Sequence, residues 1–242
     1  MKFIADTHTH TIASTHAYST LLENIHQAAQ VGLECLGMTD HATAQPDSPH
    51  IWHFANLTAI PPVVEGVRIL KGAECNILDE TGRIDLEPEM LRQLEWRIAS
   101  IHAPCYKKDA TLEDNTNAYL GVCENPYIDV IGHSGRGSFR YDYQKLIPLF
   151  GERGKLVEIN ESTLKSPSSR KNCTEIATLC KKYRVPVIVD SDAHFALSIG
   201  RFSAAVEMLK EIEFPEELVI NADSDRFWHY LEQKGIQKNP EW

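Results

Sequence analysis

Six times along this chain an apolar run ends in a side chain able to bind a metal ion. The runs are 2–10, 36–41, 69–74, 98–102, 130–133 and 187–194, and they deliver His8 and His10, His41, Glu74, His102, His133, then Asp192 and His194. Alternate side chains of a strand share a face, so Asp6, His8 and His10 are expected to project together, as are Asp190, Asp192 and His194. Imidazoles at a buried strand end are costly unless their nitrogens are satisfied. A divalent metal does this, because neutral imidazole is a borderline-soft ligand. A single His-x-His would equally suit a hydrogen-bonded pair. The repetition is what points to metal.

Between these runs the apolar spacing turns helical. Thr20 and Glu23 form a capping-box pattern that opens a helix, Gly32 closes it, and Leu21, Leu22, Ile25, Ala28 and Ala29 give its buried stripe. Further helices are expected over 88–93, 115–123 and 143–150. Another ends at Tyr183, one carries Ala205, Met208, Leu209 and Ile212, and a last one spans 224–234, packing through Phe227, Trp228 and Leu231. Strands are expected at 33–41, 67–77, 96–102, up to His133, at 155–161 and at 186–194. Alternation of β and α elements implies a parallel sheet with helices outside, and sites in barrels of this class lie at the C-terminal strand ends. A chain of 242 residues with 43% hydrophobic content fits one sizeable domain. Periodicity alone does not separate seven strands from eight, or a barrel from an open sheet.

The net charge of −10 argues against a nucleic-acid surface, which needs basic patches. It leaves an anionic small substrate open, since bound metal ions reverse the field inside a site. No apolar stretch approaches the roughly 20 residues that span a bilayer. No secretion signal precedes the first strand, so a cytoplasmic protein is expected. The six cysteines, at 35, 75, 105, 123, 173 and 180, contain no C-x-x-C pair and read as core thiols.

Asp6, His8 and His10, then His16, Thr39, Asp40 and His41, Glu74, His102, His133, Asp192 and His194 together resemble the PHP (polymerase and histidinol phosphatase) superfamily. The likeness is greatest to its stand-alone YcdX-type metal-dependent phosphatases, in the segments 13–19 and 49–54 as well, and it covers nearly the whole chain. It implies a distorted seven-stranded (βα)7 TIM-like barrel as a single domain over 1–242. One departure is that family members often carry His-Pro after the fifth strand, whereas this chain has His133, Ser134, Gly135, Arg136 and Gly137.

Nine candidate ligands are too many for one zinc ion, which takes three or four from protein, so two or three ions are needed. The resemblance implies three divalent ions, zinc foremost with manganese, iron or cobalt as alternatives. It assigns His8, His10, Glu74 and Asp192 to the first ion. Glu74 then bridges to a second ion held by His102 and His133, and His16, His41 and His194 hold the third. Such a cluster suits attack of a metal-activated hydroxide on a small phosphomonoester. Histidinol-phosphate phosphatase, a phosphodiesterase and a non-enzymatic metal-binding partner module are the alternatives. Asp6 and Asp40 are expected beside the ligands, orienting an imidazole or protonating the leaving group. Arg136, and Arg170 in an expected loop over 165–171, suit a phosphate, and Asn160 and Ser162 are candidates for the pocket mouth. His50, Trp52 and His53 are expected to cover the pocket, and His26 and His229 to lie on the surface. Trp52, Phe54 and Trp242 are candidates for an interface.

Overall fold

The computed structural model describes residues 1–241; Trp242 lies outside the described residues. In chain order the strands are β1 (Ala5–Thr9), β2 (Cys35–Met38), β3 (Val63–Val64), β4 (Val67–Asn76), β5 (Trp96–Ser100), β6 (Val130–Ile131), β7 (Leu156–Asn160) and β8 (Val187–Asp190). The short β3 pairs antiparallel with β4. The other seven run parallel in the order β1-β2-β4-β5-β6-β7-β8 and form a nearly closed barrel with helices outside, in one domain. No helix of the described residues is long and apolar enough to cross a membrane.

The helices are α1 (Leu21–Gln30), α2 (Trp52–Ala55), α3 (Pro88–Leu91), α4 (Leu112–Glu124), α5 (Tyr143–Glu152), α6 (Pro167–Tyr183), α7 (Ser203–Glu211) and α8 (Ser224–Gln233). The Thr20–Glu23 capping box opens α1 as its sequence implies. Leu22, however, is 66% exposed, and Asn24 takes a buried position instead. The Asn24 amide donates to the His10 carbonyl at 2.8 Å, so α1 uses a polar side chain to hold the end of β1. Helix α4 starts three residues earlier than its apolar spacing suggests, because Thr111 and Asp114 form a second capping box.

Ala5, Cys35, Leu70, Ile98, Val130, Leu156 and Ile188, one from each parallel strand, pack into one buried cluster inside the barrel. Phe227, Trp228 and Leu231 of α8 join that cluster, which lies toward the strand N-termini. The larger core, with Ile25, Tyr119, Phe150, Ile176 and Leu209, lies between sheet and helices. All six cysteines are free, and all but Cys105 are buried.

The strands are shorter than the apolar runs, and most candidate ligands stand just beyond them. The β1–β2 register is irregular between Asp6 and Thr9. There the Thr7 carbonyl presses against Gly37, where a Cβ would overlap it. Glycine is required at that contact. Asp190 and Asp192 do not share a face: β8 ends at Asp190, and Asp192 turns the chain with φ +54°.

Between β1 and β8 a continuous ladder gives way to side chains. The Asp190 carboxylate accepts from Thr7 N (2.5 Å) and Thr7 Oγ1 (2.9 Å), and Asp6 accepts from Ser191 N (3.0 Å) and Gly200 N (3.0 Å). At the other end the Asn221 amide donates to Ala5 O (2.9 Å) and Val189 O (2.7 Å) and accepts from Val189 N (3.1 Å). Chain 219–221 thus occupies the place of an eighth strand, with Val219 bridged to Val187. Removing the fully buried Asn221 amide leaves three main-chain groups unpaired, each costing about 1–3 kcal/mol. Asn221→Ala is expected to lower unfolding free energy by at least about 3 kcal/mol in urea titration, more than an exposed Asn56→Ala.

Candidate metal centre

Glu74, in β4, is fully buried at the centre of the strand ends. Its Oε2 lies 3.3 Å from His8 Nε2, 3.6 Å from His10 Nε2 and 2.8 Å from His41 Nδ1. Its Oε1 lies 2.9 Å from His133 Nε2 and 3.3 Å from His102 Nε2. One carboxylate therefore faces two groups of imidazoles. Asp192 Oδ1 joins the first group, 3.1 Å from His10 Nε2 and 3.7 Å from His8 Nε2. On the outer side His16 Nε2 and His194 Nε2 are 2.9 Å apart, and the His41 ring stacks on His16 at 5.1 Å and on His10 at 4.3 Å.

Three sets have ligand atoms within 4.8 Å of one another: His8, His10 and Glu74; His41, Glu74 and His102; His10, His41 and His194. The donor chemistry fits a cation. His8 Nε2 and His41 Nε2 are buried without a hydrogen-bond partner among the described residues, and His41 Nδ1 and Glu74 Oε2, though 2.8 Å apart, are not aligned for a hydrogen bond. Unpaired buried polar atoms cost about 1–3 kcal/mol each, and here they converge on one place.

The outer nitrogens fix the inner ones. Nδ1 of His8 meets Glu158 Oε1 at 2.6 Å, Nδ1 of His102 meets Asn76 Oδ1 at 2.8 Å, and Nδ1 of His16 meets Asp47 Oδ2 at 2.5 Å. Nδ1 of His194 meets the Asp192 carbonyl at 3.0 Å. Those oxygens only accept, so each Nδ1 carries a proton and each Nε2 is the nitrogen turned inward, free to bind a metal ion. The Nε2 atoms of His16 and His194 face each other at 2.9 Å, where a metal ion or a shared proton satisfies both.

Electrostatics favour the ligand form of Glu74, Asp192, His10 and His133, whereas His8 and His41 are raised, against burial, by the carboxylates around them. Burial opposes ionisation of Glu74, but His102, His8 and His41 hold it well below the usual carboxylate range. Asp192 is likewise held low against burial by His8 and Arg136. Burial, helped by His41, pushes His10 down to about 3, and burial with Arg136 pushes His133 down to about 4. His8 moves the other way: against burial, Glu158, Glu74 and Asp192 raise it well above its ordinary value.

No protein-family model matches the sequence. A probable phosphatase of Clostridium novyi (strain NT) is 43% identical over 241 residues, covering 99% of this chain and 98% of the relative. A second, from Caldanaerobacter subterraneus subsp. tengcongensis, is 44% identical over 236 residues, covering 97% and 93%. The chain belongs to this family of PHP-type phosphatases. Its fold is that of histidinol phosphate phosphatase from Lactococcus lactis subsp. lactis, solved with zinc, L-histidinol and phosphate. The TM-score is 0.60 over 89% of this chain and 95% of that one, at 15% identity. The protein is thus a phosphatase, a hydrolase, with groups of side chains that could hold metal ions.

The phosphatase uses its other singled-out residues unevenly. Asp6 binds backbone N–H groups and no imidazole, and burial pushes it up to about 6. Asp40 accepts from Thr11 N (2.8 Å), Thr11 Oγ1 (2.8 Å) and Ser14 Oγ (2.9 Å), which shapes the loop leading to His16. The imidazole it holds is His53, at 3.2 Å, outside the candidate ligands. Arg136 stands at the centre, with Nη2 2.6 Å from Asp192 Oδ2 and Nε 3.2 Å from Thr163 Oγ1. Arg170 does not: it sits on α6 and pairs with Glu211 (3.0 Å) and Glu207 (3.4 Å) of α7, because the stretch expected as a loop is already helix.

Asn160 is buried and caps the following turn through Thr163 N (2.9 Å), away from the mouth, whereas Ser162 does line the cleft beside His194. Trp52 is 76% exposed, Phe54 is buried, and His50 and His53 line separate surface hollows rather than a lid. His26 and His229 are on the surface.

Sequence reasoning missed Glu158, Asp47 and the Asp85–Asn76 pair. Asn76 donates to Asp85 Oδ2 (2.6 Å) and Ala42 O (3.1 Å), which orients its Oδ1 toward His102. Glu158 was detectable as a lone carboxylate between Val157 and Ile159 in a buried strand. Removing its charge should loosen the His8 ring while preserving shape. Glu158→Gln is expected to weaken metal binding by about 10–100-fold in chelator competition, with unfolding by heat little changed.

Proposed function

We propose that this phosphatase hydrolyses small phosphomonoesters at a centre of three divalent ions, zinc foremost. The observation that carries the reading is the Glu74 carboxylate, wholly buried with imidazoles against both oxygens. His8, His10, Glu74 and Asp192 hold one ion, and Glu74 reaches a second held by His102 and His133. His16, His41 and His194 hold the third. The first set is supported by the convergence of His8, His10 and Glu74, and the third by the 2.9 Å approach of His16 to His194. His41 Nδ1 is also 2.8 Å from Glu74 Oε2, the oxygen that faces His8 and His10, so its ring lies beside the first set as well as the third. Zinc is supported by the donor set and by its presence in the Lactococcus lactis enzyme; manganese, iron and cobalt suit the same donors.

Divalent ions held here supply a water acidified toward neutrality and positive charge for the transferring phosphoryl group. The chain supplies the geometry. Glu158, Asn76 and Asp47 fix the rings, and Arg136 adds a planar donor fork to the positive side of the site. Asp6 and Asp40, each engaged by several donors, act as positioning residues. A cytoplasmic setting is supported by the free and mostly buried thiols, which suit a reducing compartment.

A phosphomonoester is therefore the expected substrate over the matching diester, with histidinol phosphate the alternative tested beside it. Zinc- or manganese-loaded protein should turn over an aryl monoester, while His102→Ala and chelator-treated protein lose at least about 100-fold in kcat/KM. Preference for the diester, or equal turnover after metal removal, contradicts the reading.

A further inference from the structure

A cleft of about 660 Å³ opens beside the metal centre on the side of His16, Asp192 and His194. Its wall carries two large exposed aromatics, Tyr18 at 74% and Phe195 at 49%. Both ride on the ligand-bearing backbone. Tyr18 N donates to the His194 carbonyl at 2.8 Å, Phe195 follows His194 directly, and Ala196 N donates to Ser19 Oγ at 2.9 Å. Single exposed aromatics are ordinary, but two lining one cleft next to a buried metal centre offer flat apolar faces to a ligand.

The charge of the cleft is also unlike the rest of the molecule. In a protein of net charge −10, the only carboxylate lining it is Asp192, which is already engaged by Arg136 and His10. Lys165 lines the same cleft, is exposed, and forms no ion pair among the described residues. A second negative charge on the substrate has a partner there; an ammonium group meets Lys165, Arg136 and the metal ions.

We propose that this cleft is the leaving-group subsite. It takes phosphomonoesters whose alcohol carries a flat ring, held against Tyr18 and Phe195, and a second anionic group, held by Lys165. The proposal rests on the phosphomonoesterase reading above and names the substrate class of that site.

The test uses phenyl phosphates bearing a para methyl, carboxymethyl or aminomethyl group, whose leaving groups are of similar acidity, with glycerol phosphate as the ring-free comparison. The metal-loaded enzyme is expected to favour the carboxymethyl over the aminomethyl ester by about tenfold in kcat/KM. Lys165→Glu should reverse that order, whereas Lys210→Glu, an equal charge change on α7, should keep it. Tyr18→Ala and Phe195→Ala should each raise KM for the aryl esters about fivefold relative to glycerol phosphate.

No preference in the wild type, or a ratio unmoved by Lys165→Glu, overturns the anionic assignment. Parallel changes for aryl and glycerol esters overturn the role of the rings. Calorimetric binding of the matching phenylphosphonates makes the same comparison without turnover. Loss of all hydrolysis with the binding preference intact would thus refute the phosphatase reaction and leave the subsite standing.

Discussion

The structure turns on one buried carboxylate. Glu74 has no exposure to water, and its two oxygens face imidazoles from five positions of the chain. A charge so placed is tolerated only where cations answer it, because the cost of desolvating a lone carboxylate far exceeds what a domain's net stability can absorb. The barrel supplies that answer by ending β1, β2, β5, β6 and β8 at a common level, so that each strand delivers its ligand-type side chain around the one from β4. Fold and metal chemistry are coupled at this point.

Holding imidazoles in one tautomer requires an outer ring of acceptors, and the chain draws these from separate elements. Glu158 comes from β7, Asn76 from β4 with Asp85 behind it, and Asp47 from the loop after β2. Glu158 does two jobs, because its second oxygen accepts from His133 N at 2.5 Å and so joins the His8 and His133 positions. The seam between β1 and β8 follows the same logic. Where a barrel of seven strands leaves main-chain groups without a full ladder, Asp6, Asp190 and Asn221 serve as partners, and the turn that carries Asp192 is fixed in consequence. The strained backbone at Asp192 is thus held from two sides: Asp6 bonds the residue before it, and Arg136 bonds its side chain.

Much of this was legible in the sequence, for a physical reason. A histidine or glutamate at the end of an apolar run conflicts with its surroundings, and a conflict repeated six times in one chain marks a shared site. The capping boxes at Thr20 and Thr111 and the apolar face of α8 are local patterns as well, decided by residues close together in sequence. What misled was carrying strand periodicity past the strand. Asp190 and Asp192 have period-2 spacing, yet the chain leaves the sheet between them. Arg170 looked like a loop cation and is a helix residue bridging to α7. Leu22 has the spacing of a buried stripe but faces water, because Asn24 is needed beneath to hold His10.

The sequence by itself determined the alternation of strands and helices, the ligand-type residues at the strand ends and the membership of a phosphatase family. These depend on side-chain type and short-range spacing, which a single chain displays directly. Tertiary structure alone decided which oxygens of Glu74 meet which imidazoles, that Asn221 and two aspartates close the seam, and that Tyr18, Phe195 and Lys165 share a cleft. Those contacts join residues far apart in the chain, up to 216 positions for Asn221 with Ala5. Such distances are set by how the barrel closes, which local propensity does not encode.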